Sequence, residues 1–186
     1  MDAEEFERRF KDKERRSYLK YKQEVKINIY GAFSGGRIEK LKKLRDFLRK
    51  NGYNARISTD LEEIYPRGEN EGDDEYNRRI SELFINDGDI HIFVFFTASE
   101  GEKDLNQSAA MELESIYRLG KDEYVIVYFE DGSWEQVRTL LRGLVRKKGW
   151  DHEIFKEIED IFEDALSFCS NCIRKIFDEF REESSP

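Results

Sequence analysis

Short runs of branched and aromatic residues alternate along this chain with longer segments of helical periodicity. The predicted strands cover 25–30, 54–58, 90–96 and 124–129, and the predicted helices cover 37–51, 73–86, 107–119 and 133–147. Parallel strands need a crossover segment between them, and a helix is the usual one. The alternation therefore predicts a doubly wound α/β fold built on a parallel sheet of four to five strands.

The run Ile-His-Ile-Phe-Val-Phe-Phe at 90–96 is apolar at almost every position. A strand with one solvated face would instead alternate apolar and polar side chains. A continuous apolar run is typical of a strand buried on both faces, so this strand is predicted to lie in the centre of the sheet.

Two terminal segments extend beyond this alternation, and we expect added helices at both ends of a flavodoxin-like domain spanning 25–148. The first segment, 1–24, is a very polar helical pattern, which predicts a solvated arm or a lid on another surface. Its aromatic residues are Phe6, Phe10, Tyr18 and Tyr21. The last segment, 149–186, is predicted to hold a long acidic amphipathic helix over 153–182.

The apolar stripe of this last helix is longer than a four-stranded core needs. It consists of Phe155, Ile158, Phe162, Ala165, Cys169, Cys172, Ile173, Ile176 and Phe180. Two interpretations remain open, namely packing on its own domain and an interface between subunits.

Composition excludes several classes of function. The net charge of −9 argues against broad non-specific binding to nucleic acid. The chain has no apolar run of the roughly 18 residues that a membrane-spanning helix needs. Charged residues from Asp2 onward argue against a signal peptide. We therefore expect a cytoplasmic protein that binds neither membranes nor nucleic acids.

The two cysteines, Cys169 and Cys172, fall in the middle of a helical pattern and provide no disulfide framework. A redox pair needs a helix N-terminus to lower the thiol pKa. A zinc site needs two further ligands, and the only histidines are His91, inside a predicted strand, and His152. Core packing is the preferred interpretation, and we expect neither a metal nor a cofactor.

The segment Gly31-Ala-Phe-Ser-Gly-Gly-Arg37 connects the first predicted strand to the first helix of the sheet. It falls at the carboxyl edge, where doubly wound folds bind ligands. Its glycines permit positive φ and close approach of a ligand, and the helix N-terminus attracts anions. Ser34 can donate a hydroxyl hydrogen bond, and Arg37 can bind an anion through two parallel bonds. The segment predicts an anion-binding loop, although an ordinary tight turn with a surface arginine has the same pattern.

The segment Ser108-Ala-Ala-Met-Glu-Leu-Glu114 follows the run 90–96 and places a carboxylate, Glu112, beside small residues. A carboxylate in this position can act as a nucleophile at a sugar carbon. Most glutamates on helices are simply solvated, so that interpretation also stays open. An anion-binding loop opposite a carboxylate predicts a site for a phosphorylated substrate such as a nucleotide sugar.

Three segments together resemble the nucleoside 2-deoxyribosyltransferase superfamily, namely 29–37, Gly88-Asp89-Ile90 and 108–113. Within it, Gly35-Gly36-Arg37 is most similar to the deoxynucleoside 5′-monophosphate N-glycosidases and their cytidylate-hydrolysing relatives. The resemblance covers residues 25–130 and leaves the long ends outside. It implies a doubly wound domain, commonly dimeric, that cleaves the N-glycosidic bond of a nucleotide or nucleoside without a cofactor.

The resemblance also implies a role for each matching residue. Glu112 would be the nucleophile, with Asp89, which matches an aspartate ending a helix-to-strand turn, assigned to the same catalytic group. The 5′-phosphate would be held by Ser34, Gly36 and Arg37, with Gly31 and Gly35 in the same loop. Ser108 matches a phosphate-binding serine that often comes from the neighbouring subunit, and Tyr30 or Asn28 matches an early tyrosine.

Two positions depart from the family pattern. Glu114 stands where the family has glycine, and Ser81 stands where the family has a second acid. TIR domains are a more distant match through 80–83, 89–92 and 112–113, and they imply cleavage of NAD at its nicotinamide bond. A nucleotide-binding sensor without catalysis is a third alternative. In all three cases the partner is a small nucleotide or nucleoside, and for the first we expect a homodimer.

Overall fold

Five parallel strands form one sheet in the computed structural model, which describes residues 3–102 and 104–183. The strands are β1 (Lys26–Gly31), β2 (Asn54–Arg56), β3 (Ile90–Phe95), β4 (Val125–Glu130) and β5 (Asp151–Phe155). Their order across the sheet is β2-β1-β3-β4-β5, so the direction of winding reverses between β1 and β3. This doubly wound architecture confirms the predicted fold class.

Helices cover both faces of the sheet. The longer ones are α1 (Ala3–Glu24), α2 (Arg37–Lys50), α4 (Asp73–Asn86), α5 (Gln107–Arg118), α7 (Thr139–Lys148) and α8 (Phe162–Glu183), and the single-turn ones are α3 (Thr59–Glu62) and α6 (Ser133–Gln136). Helices α2 and α8 pack on one face, and α1 lies against α8. Helices α4, α5 and α7 pack on the other face, together with α3. Across the described ranges, no helix is long and apolar enough to cross a membrane.

The two apolar layers follow from the alternation of side chains along each strand. In β1, Ile27 and Ile29 face α2 and α8, whereas Tyr30 faces α4 and α5. In β3 the branched residues take the first face and the phenylalanines take the second. Every residue of β3 is buried, which confirms the prediction of a central strand.

The C-terminal segment differs from the predicted continuous helix over 153–182. Its first residues form the edge strand β5, a 3-10 helix follows at Ile158–Ile161, and α8 begins only at Phe162. Phe155, Ile158 and Ile161 are buried in the layer beneath α2 and α8. These three residues are spaced three positions apart. A 3-10 helix has three residues per turn, so the same spacing in the sequence is expected for a 3-10 helix and for one face of an α-helix. The pairing with β4, a long-range interaction, decides the difference.

The predicted helix over 133–147 is divided into α6 and α7. Val137 and Arg138, between them, have extended backbone with ψ of 147° and 142°. The Gln136 side chain accepts a hydrogen bond from the Ala98 N–H at 2.7 Å and donates one to the Ala98 carbonyl at 3.3 Å. This contact fixes the end of α6 to the loop after β3, so the break in the helix coincides with a tertiary attachment.

The apolar stripe of the last helix packs on its own domain. Ala165, Cys169 and Ile173 are fully buried in the layer shared with α2. Cys172 is buried too, and both cysteines are thiols, as predicted for core residues. Phe180, near the far end of the stripe, is 53% exposed and lies 5.7 Å from the ring of Tyr21. Own-domain packing therefore accounts for the stripe.

The C-terminal half of α1 is anchored to the domain. Tyr18 and Tyr21 pack against the ring of Phe177 at centroid distances of 5.5 and 5.6 Å. The Lys22 ammonium lies 3.8 Å from the centre of the Tyr53 ring, a cation–π contact. This half of α1 therefore covers α8 and is not a solvated arm. The side chains of Phe6 and Phe10 lie outside the described residues.

The packing of α8 predicts the cost of shortening its stripe. Ile173→Ala should lower the free energy of unfolding by about 2–5 kcal/mol, because it removes a fully buried side chain and leaves a cavity. Ile154→Ala is the matched control, since Ile154 is 63% exposed on the edge strand, and should cost less than about 1 kcal/mol. Urea denaturation of both variants measures the difference, and equal costs would contradict the packing of α8 on the core.

Candidate active site

The carboxyl ends of β1 and β3 lie side by side where the winding of the sheet reverses. The chain leaves β1 toward α2 on one face, and it leaves β3 toward α5 on the other. The two connecting loops, 31–37 and 97–106, therefore start side by side, continue to opposite faces of the sheet and border a crevice at its carboxyl edge. Doubly wound folds bind ligands in this position.

The loop Gly31–Arg37 depends on its glycines for its backbone path. Gly35 and Gly36 have φ of 62° and 78°, in the left-handed region that residues with a Cβ disfavour. The Arg37 N–H donates to the Ser34 carbonyl at 3.2 Å and closes the turn that begins α2. Ser34, Gly35 and Gly36 are exposed. The loop thus has the predicted conformation and presents a solvent-facing edge at the crevice.

Arg37 bridges this loop to the loop after β3. Its Nη1 donates to Glu102 Oε1 at 2.8 Å, and its Nη2 donates to Glu102 Oε2 at 2.7 Å. Nη2 also donates to the Thr97 carbonyl at 3.0 Å. The arginine is buried, and its two parallel bonds to a carboxylate are the geometry that the sequence interpretation assigned to a phosphate. In this structure Glu102 stands where that anion would lie.

Glu102 is a site residue that the sequence analysis did not identify. It lies in the loop 97–106, whose sequence is that of an ordinary polar loop. Its partner, Arg37, is 65 positions away along the chain. A further hydrogen bond from the Ser99 N–H, at 2.8 Å, holds the same carboxylate. Together, Arg37 and Ser99 lower the pKa of Glu102 to about 2. A glutamate in a loop gives no local signal for such a pairing, because only the fold brings the two loops together.

Glu112 projects from α5 toward α4. Its Oε1 accepts a hydrogen bond from the Ser81 hydroxyl at 3.0 Å. The residue retains partial exposure, but burial of the carboxyl group raises its pKa to about 7 against the opposing effect of Ser81. A carboxyl group that titrates near neutral pH can hold or release a proton under physiological conditions, which is common among reactive groups.

Ser108 lies four residues before Glu112 in the first turn of α5 and is exposed. Residues at this spacing occupy the same face of a helix, one turn apart. The structure therefore places the predicted serine and the predicted nucleophile on a common face of α5.

Tyr30 is fully buried and points along the sheet rather than into the loop. Its ring stacks on Phe93 at a centroid distance of 4.4 Å, and its hydroxyl meets Nδ1 of His91 at 3.0 Å. Burial raises the pKa of Tyr30, and the nearby charge of Glu112 acts in the same direction. Tyr30 thus lies close to Glu112 as part of the packed layer beneath it.

Asp89 lies at the opposite edge of the sheet from the crevice. It directly precedes β3, so it marks the amino end of that strand. Its carboxylate accepts a hydrogen bond from the Lys26 N–H at 2.8 Å, and its own N–H donates to the Lys26 carbonyl at 3.0 Å. These bonds align the starts of β1 and β3. Ser108 and the loop 31–37 lie toward the carboxyl edge, Glu112 follows one helical turn after Ser108, and Asp89 lies at the opposite edge.

A cavity of about 1030 Å³ lies between α5 and the α6–α7 segment. Its walls include Met111 of α5 and Leu141 of α7, and Glu102 of the loop after β3 lines it as well. Glu112 instead faces α4, so cavity size and carboxylate chemistry point to different sides of α5. We place the candidate site at Glu112, because the desolvated carboxyl group supplies a specific chemistry. Within the described ranges, no group of three His, Cys, Asp or Glu side chains is arranged to hold a metal ion.

Comparison with known proteins supports the fold. No protein-family model matches the chain, and no curated protein matches it. The 2-deoxyribosyltransferase of the psychrotolerant bacterium Bacillus psychrosaccharolyticus is similar in structure, with a TM-score of 0.50 and 17% sequence identity. The match covers 74% of this chain and 90% of that chain. At this identity the similarity establishes a shared α/β fold, and the roles of individual residues rest on geometry.

The buried histidine beneath Tyr30 predicts a specific loss of stability in acid. His91 is 1% exposed, and burial lowers its pKa to about 3. Between pH 6.5 and 3 the unfolded chain binds a proton at His91 that the folded chain does not. The free energy of unfolding should therefore decrease as the pH is lowered through this range, by about 1.4 kcal/mol per pH unit for one proton.

His91→Gln should remove this contribution, whereas His152→Gln, at an exposed position, should leave it unchanged. Denaturant titrations across that pH range measure the slopes. The difference between the parent protein and His91→Gln isolates the histidine, because the carboxyl groups titrate in both. Parallel slopes would show that His91 has the same pKa in the folded and unfolded states and would contradict the expected shift.

Proposed function

We propose that this protein cleaves or exchanges the N-glycosidic bond of a nucleoside or nucleoside 5′-monophosphate, with Glu112 as the nucleophile. The observation that carries the proposal is the carboxyl group of Glu112. It is desolvated enough to have a pKa of about 7, is held by Ser81, and lies beside the last residues of β1. The shared fold with a 2-deoxyribosyltransferase is consistent with chemistry at this edge of the sheet.

In the proposed reaction the ionised carboxylate attacks C1′ of the sugar. The bond between C1′ and the base nitrogen breaks, the base leaves with the bonding electrons, and an ester forms between the sugar and Glu112. Water or a second base then attacks C1′, and the bond between C1′ and Glu112 breaks with its electrons returning to the carboxylate. The proton that the attacking group loses balances the one that the departed base takes up. The first outcome is hydrolysis and the second is transfer, and both use the same ester.

The surrounding residues have positioning roles in this proposal. Ser81 orients the carboxylate by donating its hydroxyl hydrogen. The exposed edge of the loop Gly31–Arg37 receives the sugar end of the substrate, and Ser108 lies on the same face of α5 as the nucleophile. Tyr30 supports Glu112 from below through the packed aromatic layer. Asp89, at the far edge, takes no part in the bond cleavage.

A non-catalytic nucleotide sensor is the second candidate, and one observation favours it. The residue that contacts Glu112 on α4 is a serine, whereas the resembled enzymes have a second acid that assists departure of the base. A panel of nucleosides, nucleotides and NAD, with released base measured by chromatography, separates the candidates. Release of a base from a nucleoside or nucleotide supports the enzyme, release of nicotinamide supports NAD cleavage, and binding without release supports the sensor.

Replacing the proposed nucleophile should abolish turnover. Glu112→Gln should reduce base release by about 10³-fold or more, because no ester can form. The variant should fold, since it replaces a buried charge with a neutral group of the same shape. Glu114→Gln is the matched control on the same helix, where Glu114 pairs with Arg118 at 2.6 Å, and should retain activity. Activity of Glu112→Gln within tenfold of the parent would exclude Glu112 as the nucleophile.

The pKa of Glu112 also predicts how the rate depends on pH. The attacking form is the carboxylate, so the rate of base release should rise with pH through about 7 and level off above it. Ser81→Ala removes a bond that stabilises the charged form, and should move this midpoint to higher pH. Initial rates between pH 5 and 9 measure both midpoints. A rate that falls through pH 7 would mean that Glu112 acts as an acid instead.

A further inference from the structure

We infer that Glu102 is a specificity-determining residue, whose carboxylate occupies the anion position on Arg37 and excludes phosphate from the crevice. The identity of the ligand, a nucleoside, rests on the proposed function. The exclusion of phosphate itself follows from the contacts of the two loops.

The first step in the argument is the state of the Arg37 guanidinium. Each terminal nitrogen donates twice, Nη1 to Glu102 and the Ser34 carbonyl, and Nη2 to Glu102 and the Thr97 carbonyl. The side chain is only 10% exposed. These four bonds use every N–H of the two terminal nitrogens. A phosphate could bind them in the two-bonded fashion only by displacing Glu102, because the other two acceptors are backbone atoms of the loops themselves.

The second step is that Glu102 is held in place by its own loop. The Ser99 N–H donates to Glu102 Oε2 at 2.8 Å, and the base of the loop is fixed where Asn106 bonds both the N–H and the carbonyl of Phe96. The pKa of Glu102, about 2, keeps it ionised throughout the physiological range. The crevice therefore contains a permanent negative charge that is already paired.

The third step concerns Lys40, which lies three residues after Arg37 in α2. Its ammonium lies 2.6 Å from Glu130 Oε1, at the end of β4. Glu130 Oε2 in turn accepts from the Thr97 N–H at 2.8 Å, so this carboxylate is also fixed. Arg37 and Lys40 are thus each neutralised by a fixed carboxylate, one from the loop after β3 and one from the end of β4.

These contacts distinguish a hydroxyl from a phosphate at the same place. Glu102 is 31% exposed in its side chain and can accept a hydrogen bond from the 5′-hydroxyl of a nucleoside. A phosphate carries negative charge and meets an ionised carboxylate whose cation is already bound. Specificity then combines an attractive contact for the hydroxyl with repulsion of the phosphate.

The test measures binding rather than turnover. Isothermal titration calorimetry uses inorganic phosphate, the four 2′-deoxynucleosides and their 5′-monophosphates, all with protein carrying Glu112→Gln so that no ligand is consumed. Glu102→Gln and Glu102→Ala are compared with this parent. Glu100→Gln is the matched control, because Glu100 is an exposed glutamate of the same loop and its replacement changes the net charge equally.

The parent should bind the 5′-monophosphates no more tightly than the nucleosides. Glu102→Gln and Glu102→Ala should bind inorganic phosphate and the monophosphates at least tenfold more tightly than the parent, since Arg37 becomes available for charge-assisted hydrogen bonds. Glu100→Gln should gain less than threefold. Adding Arg37→Met to Glu102→Gln should abolish the gain.

Tighter binding of monophosphates than of nucleosides by the parent would overturn the inference, because Arg37 would then bind phosphate with Glu102 displaced. A folded Glu102 variant that gains no more than Glu100→Gln would overturn it as well. If both Glu102 variants fail to fold, the comparison within the parent decides. The inorganic phosphate titrations need no nucleoside, so a protein that cleaves neither nucleosides nor their 5′-monophosphates would refute the proposed function while leaving this inference standing.

Discussion

The structure depends on burial of β1 and β3 on both faces. A strand without a polar face must be covered from both sides, so the chain places α2 and α8 over one face and α4 and α5 over the other. Because the crossovers from the two strands lead to opposite faces, their loops border a crevice at the carboxyl edge, where Arg37 and Glu102 join them. The crevice is therefore a consequence of how the apolar core is covered, and the polar residues of the loops only determine what it can bind.

Two glutamates, Glu112 and Glu102, have pKa values that are shifted in opposite directions. Burial without a cation raises the pKa of Glu112 to about 7, whereas the paired Arg37 lowers that of Glu102 to about 2. The residue type is the same, so the difference comes entirely from the neighbours. A carboxyl group near neutrality is suited to forming and breaking bonds. A permanently ionised and paired one is suited to fixing loops and selecting the charge of a ligand.

The amino edge of the sheet has a structural role instead. Asp89 aligns the starts of β1 and β3, and Arg56 joins Asn28 to Asp87 through bonds of 2.8 Å to each. Gly88 is required there, because a Cβ would come within 2.5 Å of the Asn28 amide nitrogen. Gly88 and Asp89 thus have a role in strand alignment that is independent of catalysis.

The sequence by itself determined the class of fold, the buried central strand and the positive φ of the glycine loop, because these depend on local periodicity and on the conformational range of single residues. It also singled out Glu112, whose placement beside small residues on a helix is a local pattern. Only the tertiary structure decided that residues 151–155 form a strand, that Glu102 meets Arg37 and that Asp89 lies away from the crevice. Each of these depends on pairing between distant parts of the chain, and such pairing is set by the packing of the whole domain rather than by any neighbouring residues.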